Sequence, residues 1–197
     1  MNVVIIKYNA GNIRSVLFAL ERIGVQAQVS EDPQLIQKAD KVIFPGVGEA
    51  SSAMNHLRER KLDRLIQDLR QPVLGICLGM QLLCAHSEEN DTSCLRIFDT
   101  QVKKFFPTPD EPLKVPQTGW NTVYDLQSPL FSAVPENNYC YFVHSYYAEL
   151  GDHTIGKTNY VQPYSSALHK NNFYGVQFHP EKSAGIGERM LKNFIQL

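Results

Sequence analysis

Pro72-Val73-Leu74-Gly75-Ile76-Cys77-Leu78-Gly79-Met80-Gln81 is a short apolar strand that runs into Gly-x-Cys-x-Gly and leaves as a helix. A strand of this kind, apolar on both sides and closed by turn residues, belongs inside a sheet covered on both faces. The glycines let the chain reverse sharply beneath Cys77, placing the thiol on a nucleophile elbow. The helix starting at Leu78 aims free N-H groups and its positive dipole end at the sulfur, which favours thiolate over thiol. The same residues also fit a buried cysteine between packing glycines.

Upstream, the pattern repeats. Val3 to Ile6 reads as a strand, and Asn12 opens a helix through Ile13, Val16, Leu17, Leu20 and Ile23. Val25 to Val29 returns as a strand, Asp32-Pro33 caps a helix, and Lys41 to Phe44 is the next strand. After Pro45-Gly46-Val47-Gly48, one helical stretch buries Met54, Leu57, Leu62, Leu65, Ile66 and Leu69. Strands alternating with amphipathic helices predict a doubly wound α/β fold with a mostly parallel sheet and helices on both faces. Downstream the rhythm changes. Six of the eleven prolines fall between 107 and 135, which predicts a small Pro-rich β elaboration at about 94–135 within a single domain of residues 1–197. Tyr139 to Ala148 and Phe173 to Phe178 read as strands, and a helix from about Gly187 to Ile195 closes the chain.

Composition narrows the function. The 197 residues can bury about 70% of the unfolded surface. Nineteen Lys+Arg against twenty Asp+Glu give a net charge of −1, so no basic field exists for nucleic acid or anionic membrane. No run of 18 apolar residues and no signal core is present. The spacing of Cys77, Cys84, Cys94 and Cys140 matches neither a zinc pair nor a secreted disulfide framework, which points to a reducing, cytoplasmic setting. No metal or cofactor constellation is expected, because no two histidines share the short spacing a metal site needs.

A thiolate nucleophile needs a base. Of the six histidines, His179 alone comes with an orienter: it follows the strand Tyr174 to Phe178 and precedes Pro180-Glu181. Proline holds the preceding residue extended, so residues 179 and 181 point the same way and Glu181 can fix the imidazole tautomer. Cys77, His179 and Glu181 then form a triad for acyl transfer. In isolation, His-Pro-Glu reads first as a solvated surface turn. The amide of Leu78 is one oxyanion donor by construction, and Pro45-Gly46-Val47-Gly48 can supply a second, that of Val47. Gln81, one turn beyond the elbow, can lean back over it.

Taken together, P-G-V-G, G-I-C-L-G-M-Q, Y-F-V-H-S-Y and G-V-Q-F-H-P-E-K-S resemble the class I (triad) glutamine amidotransferases. With G-N-I-R-S-V and G-W-N, the chain is most similar within that class to the glutaminase subunits of imidazole glycerol phosphate synthases. The resemblance spans nearly the whole chain. It implies that Cys77 attacks the side-chain amide of L-glutamine and that His179 shuttles the proton. It also implies that Gly46, Gly48, Gln81, Glu89, His144, Ser145 and Tyr146 surround the substrate. Ammonia would pass to a partner cyclase with a (β/α) barrel fold, in a heterodimer whose docking face includes Asn12, Arg14, Trp120 and Lys182. Read alone, Trp120 would be a core aromatic. Lys7 and Gln117-Thr118 depart from the family's usual acidic residue and His-apolar pair. Three alternatives are a different ammonia-accepting synthase, a free-standing γ-glutamyl hydrolase, and a silent scaffold.

Overall fold

The computed structural model describes residues 1–9, 11–110 and 112–197. The β-branched runs form β1 (Val3–Ile6), β2 (Ala27–Ser30), β3 (Lys41–Gly46) and β4 (Val73–Cys77). Between them lie α1 (Ile13–Arg22), α2 (Pro33–Gln37), α3 (Ala50–Glu59) and α4 (Leu62–Asp68). The Asp32 side chain accepts from the Gln34 amide at 2.8 Å, the cap that its position before Pro33 predicts. The stretch expected as one helix breaks at Lys61, whose φ of 57° is left-handed. That turn lets Leu57 and Leu62, on successive helices, enter the same core.

Beyond the elbow come α5 (Leu78–Leu83), β5 (His86–Ser87), β6 (Thr92–Ser93), β7 (Gln101–Lys104), β8 (Gln117–Val123), β9 (Asn138–His144) and β10 (Tyr146–Ala148). They are followed by β11 (Thr154–Tyr160), β12 (Gln162–Lys170), β13 (Phe173–Val176) and α6 (Ala184–Gln196). The closing helix thus starts three residues before the expected Gly187. The main sheet runs β2-β1-β3-β4-β13-β12-β10-β7-β5-β6, with β11 pairing β12. From β2 to β13 every ladder is parallel; β12 then turns antiparallel to β13 and the sheet continues in mixed pairing. Along β1, Val4 and Ile6 pack with residues of α3, α4 and α5, whereas Val3 and Ile5 pack with residues of α1 and α6. Helices therefore cover both faces, as the unbroken apolar strands require.

The 94–135 elaboration is only partly a local hairpin region; of it, residue 111 lies outside the described residues. β7 joins the main sheet beside β10, and β8 pairs antiparallel with β9 in a separate two-stranded ribbon, across a connection that includes a 3₁₀ turn at Pro129–Phe131. Among the described residues no helix is long and apolar enough to cross a membrane.

Candidate active site

Cys77 ends β4 and immediately precedes α5, with φ 52° and ψ −111°. A non-glycine residue in this region is strained, and the surrounding packing enforces it. A Cβ on Gly75 would lie 2.9 Å from the Gly79 carbonyl carbon and from the Met80 nitrogen; one on Gly79 would run into the Phe44 carbonyl of β3. Both flanking glycines are thus required by backbone contact, and the elbow is seated directly on β3. Gly46 is pressed just as closely, since a Cβ there would meet Gly79 N and Leu78 Cβ at 2.9 Å and collide with the Tyr8 hydroxyl. Tyr8 donates to the Pro45 carbonyl at 2.7 Å, and burial followed by the nearby Cys77 raises its pKa well above the ordinary phenol value.

β13 lies parallel to β4, with Val176 beside Ile76, and carries the chain on to His179. His179 is buried, and its Nδ1 lies 2.7 Å from Glu181 Oε1, itself buried in the 3₁₀ turn Pro180–Lys182. Ser183 pins that turn: its hydroxyl donates to the His179 carbonyl at 2.7 Å and accepts from the Tyr141 amide at 3.0 Å. The other imidazole nitrogen, Nε2, has no well-aligned hydrogen-bond partner, and neither has Glu181 Oε2. Burial disfavours the imidazolium, but the neighbouring Cys77 sulfur and the Glu181 carboxylate together reverse this and raise the His179 pKa. A base oriented through one nitrogen and free at the other, beside a thiol, is equipped for acyl transfer; loose alignment at the free nitrogen is usual before substrate arrives.

A cavity of about 340 Å³ opens over the sulfur, lined by Val47, Gly48, Cys77, Leu78, Gln81, Glu89, Pro116, Val143, His144, Ser145 and Tyr146. Eight of the residues expected around nucleophile or substrate therefore converge with Cys77, and Gly46 is the exception, packing behind the wall. Glu89 is half-buried and accepts from the Ala50 amide at 2.7 Å, at the start of α3; burial raises its pKa against that bond. His144 donates through Nδ1 to the Tyr146 carbonyl at 2.7 Å, with the Tyr164 hydroxyl 3.2 Å from Nε2. Burial pushes the His144 pKa down to about 4, so it stays neutral near pH 7. Another histidine does meet a carboxylate, contrary to the expectation that His179 alone would: His86 Nε2 lies 3.1 Å from Asp91, which is fully open to water and outside the cavity.

The expected docking residues fall outside the cavity. Trp120 on β8 is 54% exposed and so is not a core aromatic; its ring meets Tyr141 edge-on at 6.0 Å, and the Lys182 ammonium sits 5.6 Å over the same Tyr141 ring. Trp120 and Lys182 are thereby brought together by Tyr141, which sequence reasoning missed although it lies in the aromatic run of β9. Asn12 precedes α1, which packs against the turn holding Lys182, and Arg14 is exposed on that helix. Gln177 was missed too. It is fully buried, and no feature of the apolar strand Tyr174 to Phe178 distinguishes it until its neighbours are placed. Among the described residues no group of acidic, histidine and cysteine side chains is arranged to hold a metal.

Residues 4–197 match the family described as glutamine amidotransferase class-I. A protein of Bacteroides thetaiotaomicron named imidazole glycerol phosphate synthase subunit HisH is 57% identical over 197 residues, covering all of both chains. One of the same name from Vibrio cholerae is 47% identical over 203 residues, covering 100% of this chain and 98% of its own. Among solved structures, one described as a glutamine amidotransferase superposes with a TM-score of 0.75 at 15% identity, covering 98% of this chain and 97% of the other. A structure of PurLQS from Thermotoga maritima gives 0.73 at 13% identity, covering 99% and 97%, and supports the fold alone.

Proposed function

The chain belongs to the class-I glutamine amidotransferase family, and from that premise we propose that it is a glutaminase hydrolysing L-glutamine through a cysteinyl thioester. The observation that carries this is buried His179, tied at 2.7 Å to Glu181 through Nδ1 and unpaired at Nε2, beside the Cys77 thiol that lines the cavity. His179 takes the thiol proton as Cys77 Sγ attacks the side-chain amide carbon. The oxygen of the tetrahedral adduct takes up negative charge beside the N-H of Leu78 and that of the Val47 loop. As the C–N bond breaks, His179 returns the proton and ammonia leaves. Water, deprotonated by the same imidazole, then attacks the thioester, and a second collapse frees glutamate and the thiol.

Gln81 and Glu89 fit the amino-acid end of glutamine by charge. Gln81 donates through Nε2 to the Tyr146 carbonyl and to Gln177 Oε1, both at 2.9 Å, so it offers the cavity only an acceptor oxygen. An acceptor and a carboxylate suit the substrate ammonium. Gly48, His144, Ser145 and Tyr146 shape the remaining wall.

The ammonia goes to a cyclase of (β/α) barrel fold in a heterodimer that forms imidazole glycerol phosphate and the aminoimidazole carboxamide ribonucleotide in histidine biosynthesis. Names of the full-length relatives and the exposed Trp120–Tyr141–Lys182 group support this over a free-standing hydrolase. The whole chain acts as one unit in the cytoplasm, where its four cysteines remain as thiols. Cys77→Ala should abolish glutamate release from glutamine in a coupled glutamate dehydrogenase assay. Adding the cyclase with its nucleotide should raise the rate of the unaltered chain. Glutamate release persisting in Cys77→Ala would overturn the proposal.

A further inference from the structure

Two groups touch the sulfur besides the base. The Val143 carbonyl lies 3.9 Å from Sγ, in position to accept the thiol proton, and Gln177 Nε2 lies 3.7 Å away, in position to donate. These neighbours act oppositely once the proton has gone. A carbonyl oxygen repels the thiolate, whereas an amide N-H stabilises it.

The direction of the Gln177 amide is not arbitrary. The Tyr146 carbonyl only accepts, so Gln81 must face it with Nε2. The same nitrogen lies 2.9 Å from the Gln177 amide, which must therefore present its oxygen to Gln81 and its nitrogen to Cys77. Tyr146 O is itself held in place by His144 Nδ1 at 2.7 Å. Gln177 is fully buried, so water does not compete for these bonds.

We propose that Gln177 is a further catalytic residue: its amide N-H, oriented through Gln81 and the Tyr146 carbonyl, donates to Cys77 Sγ and stabilises the sulfur anion that attacks the substrate. The inference deepens the glutaminase reading and rests on Cys77 being the nucleophile, whichever acceptor receives the ammonia. Glu89, neutral His144 and Tyr146 line the cavity above the sulfur, and the titratable groups coupled to the sulfur itself are His179 with Glu181 behind it, Tyr8 from the loop after β1, and Tyr164 from β12. Tyr8 and Tyr164 are kept neutral through the physiological range by burial. His179 accepts the proton and Gln177 supplies the neutral donor.

The test reads the sulfur directly, by the rate at which iodoacetamide alkylates Cys77 as a function of pH, so it stands apart from whether glutamine is the substrate. In Gln177→Leu, which keeps bulk and removes the donor, alkylation at pH 7 should slow by about ten- to hundredfold, the weight of one hydrogen bond to an ionised acceptor. The pH of half-maximal alkylation should rise. Gln177→Glu keeps an oxygen for Gln81 and loses the donor when ionised, so its deficit should grow as pH rises through the carboxyl titration. A purely structural role would give no such dependence. On the unaltered chain, the Gln177 side-chain amide resonances should move with the same midpoint as the alkylation rate. Folded variants alkylated at the native rate and pH dependence, or amide resonances indifferent to Cys77 ionisation, would overturn the proposal.

Discussion

At the scale of single residues, the Glu181 carboxylate holds His179 through Nδ1 and, with the Cys77 sulfur, raises its pKa, so its replacement should show in both rate and pH response. Glu181→Gln keeps shape and one acceptor but removes the charge that orients and favours the imidazolium. We expect kcat for glutamine to fall about 10²- to 10⁴-fold, the range seen when a general base loses its action or tautomer. Linkage gives a second signature. His179 has its pKa raised by folding, so the folded chain holds more protons than the unfolded one above about pH 6.5. Stability from this pair is complete below that pH and is lost as pH climbs through the raised value. Urea midpoints between pH 6.5 and 9 should therefore decline more steeply for the unaltered chain than for Glu181→Gln; parallel slopes would remove Glu181 as the cause. These proposed catalytic residues are legible in sequence because their geometry is local: a turn forced by glycines around Cys77, and a proline between His179 and Glu181, although the two meet across the 3₁₀ turn Pro180–Lys182 and not along the extended run that the proline predicts. Gln177 and Ser183 are not. A buried polar side chain reveals its role only through partners such as Gln81 and Tyr141, which lie tens of residues away.

At the scale of elements, the contact between elbow and strand is a backbone contact, and glycines there differ sharply in what they tolerate. Gly79 sits on the Phe44 carbonyl with no space for a methyl group, and neither β3 nor α5 can yield without moving Cys77. Gly79→Ala should cost about 3 kcal/mol or more, at the upper end of overpacking, with the damage falling on the nucleophile's position. Gly185, in the first turn of α6, has nothing within 4 Å of where a Cβ would stand. Gly185→Ala should stabilise by about 0.5–1 kcal/mol through helix propensity. Denaturant melts of both variants test the contrast, and a neutral Gly79→Ala would mean that the close seating of the elbow is not required. The parallel core was readable because β-branched runs and helical spacing are local patterns. The β8–β9 ribbon and the partner of β7 were not, since proline and turn density mark where regular structure ends without saying which distant strand completes it. Lys61 likewise breaks a helix whose apolar spacing continues unbroken through it, because spacing records burial and not the dihedral at one exposed residue.

For the molecule as a whole, Cys77, the proposed nucleophile, stands at the carboxyl end of parallel strands, where open α/β sheets place their sites, and β8 and β9 carry Trp120 and Tyr141 of the proposed docking group. β9 is the connecting part. Its Val143 and His144 line the cavity, its Tyr141 holds Trp120 and Lys182 at the surface, and its Tyr141 carbonyl accepts from the His179 amide at 2.8 Å. A partner seated on Trp120 therefore bears on the same strand that positions the base. An aromatic side chain left 54% open, backed by another ring and a cation, is the kind of anchor whose loss dominates binding. Trp120→Ala should raise the cyclase concentration needed for half-maximal stimulation of glutamine hydrolysis by about 30-fold or more, equivalent to at least about 2 kcal/mol. Replacing exposed Phe18 of α1 by alanine supplies the comparison, since Phe18 is as open to water and has no part in the Tyr141 group. If both substitutions shift the titration equally, the docking face extends over α1 and is not centred on Trp120. If neither shifts it, the cyclase engages another surface, and the link through β9 from partner to base has no physical basis.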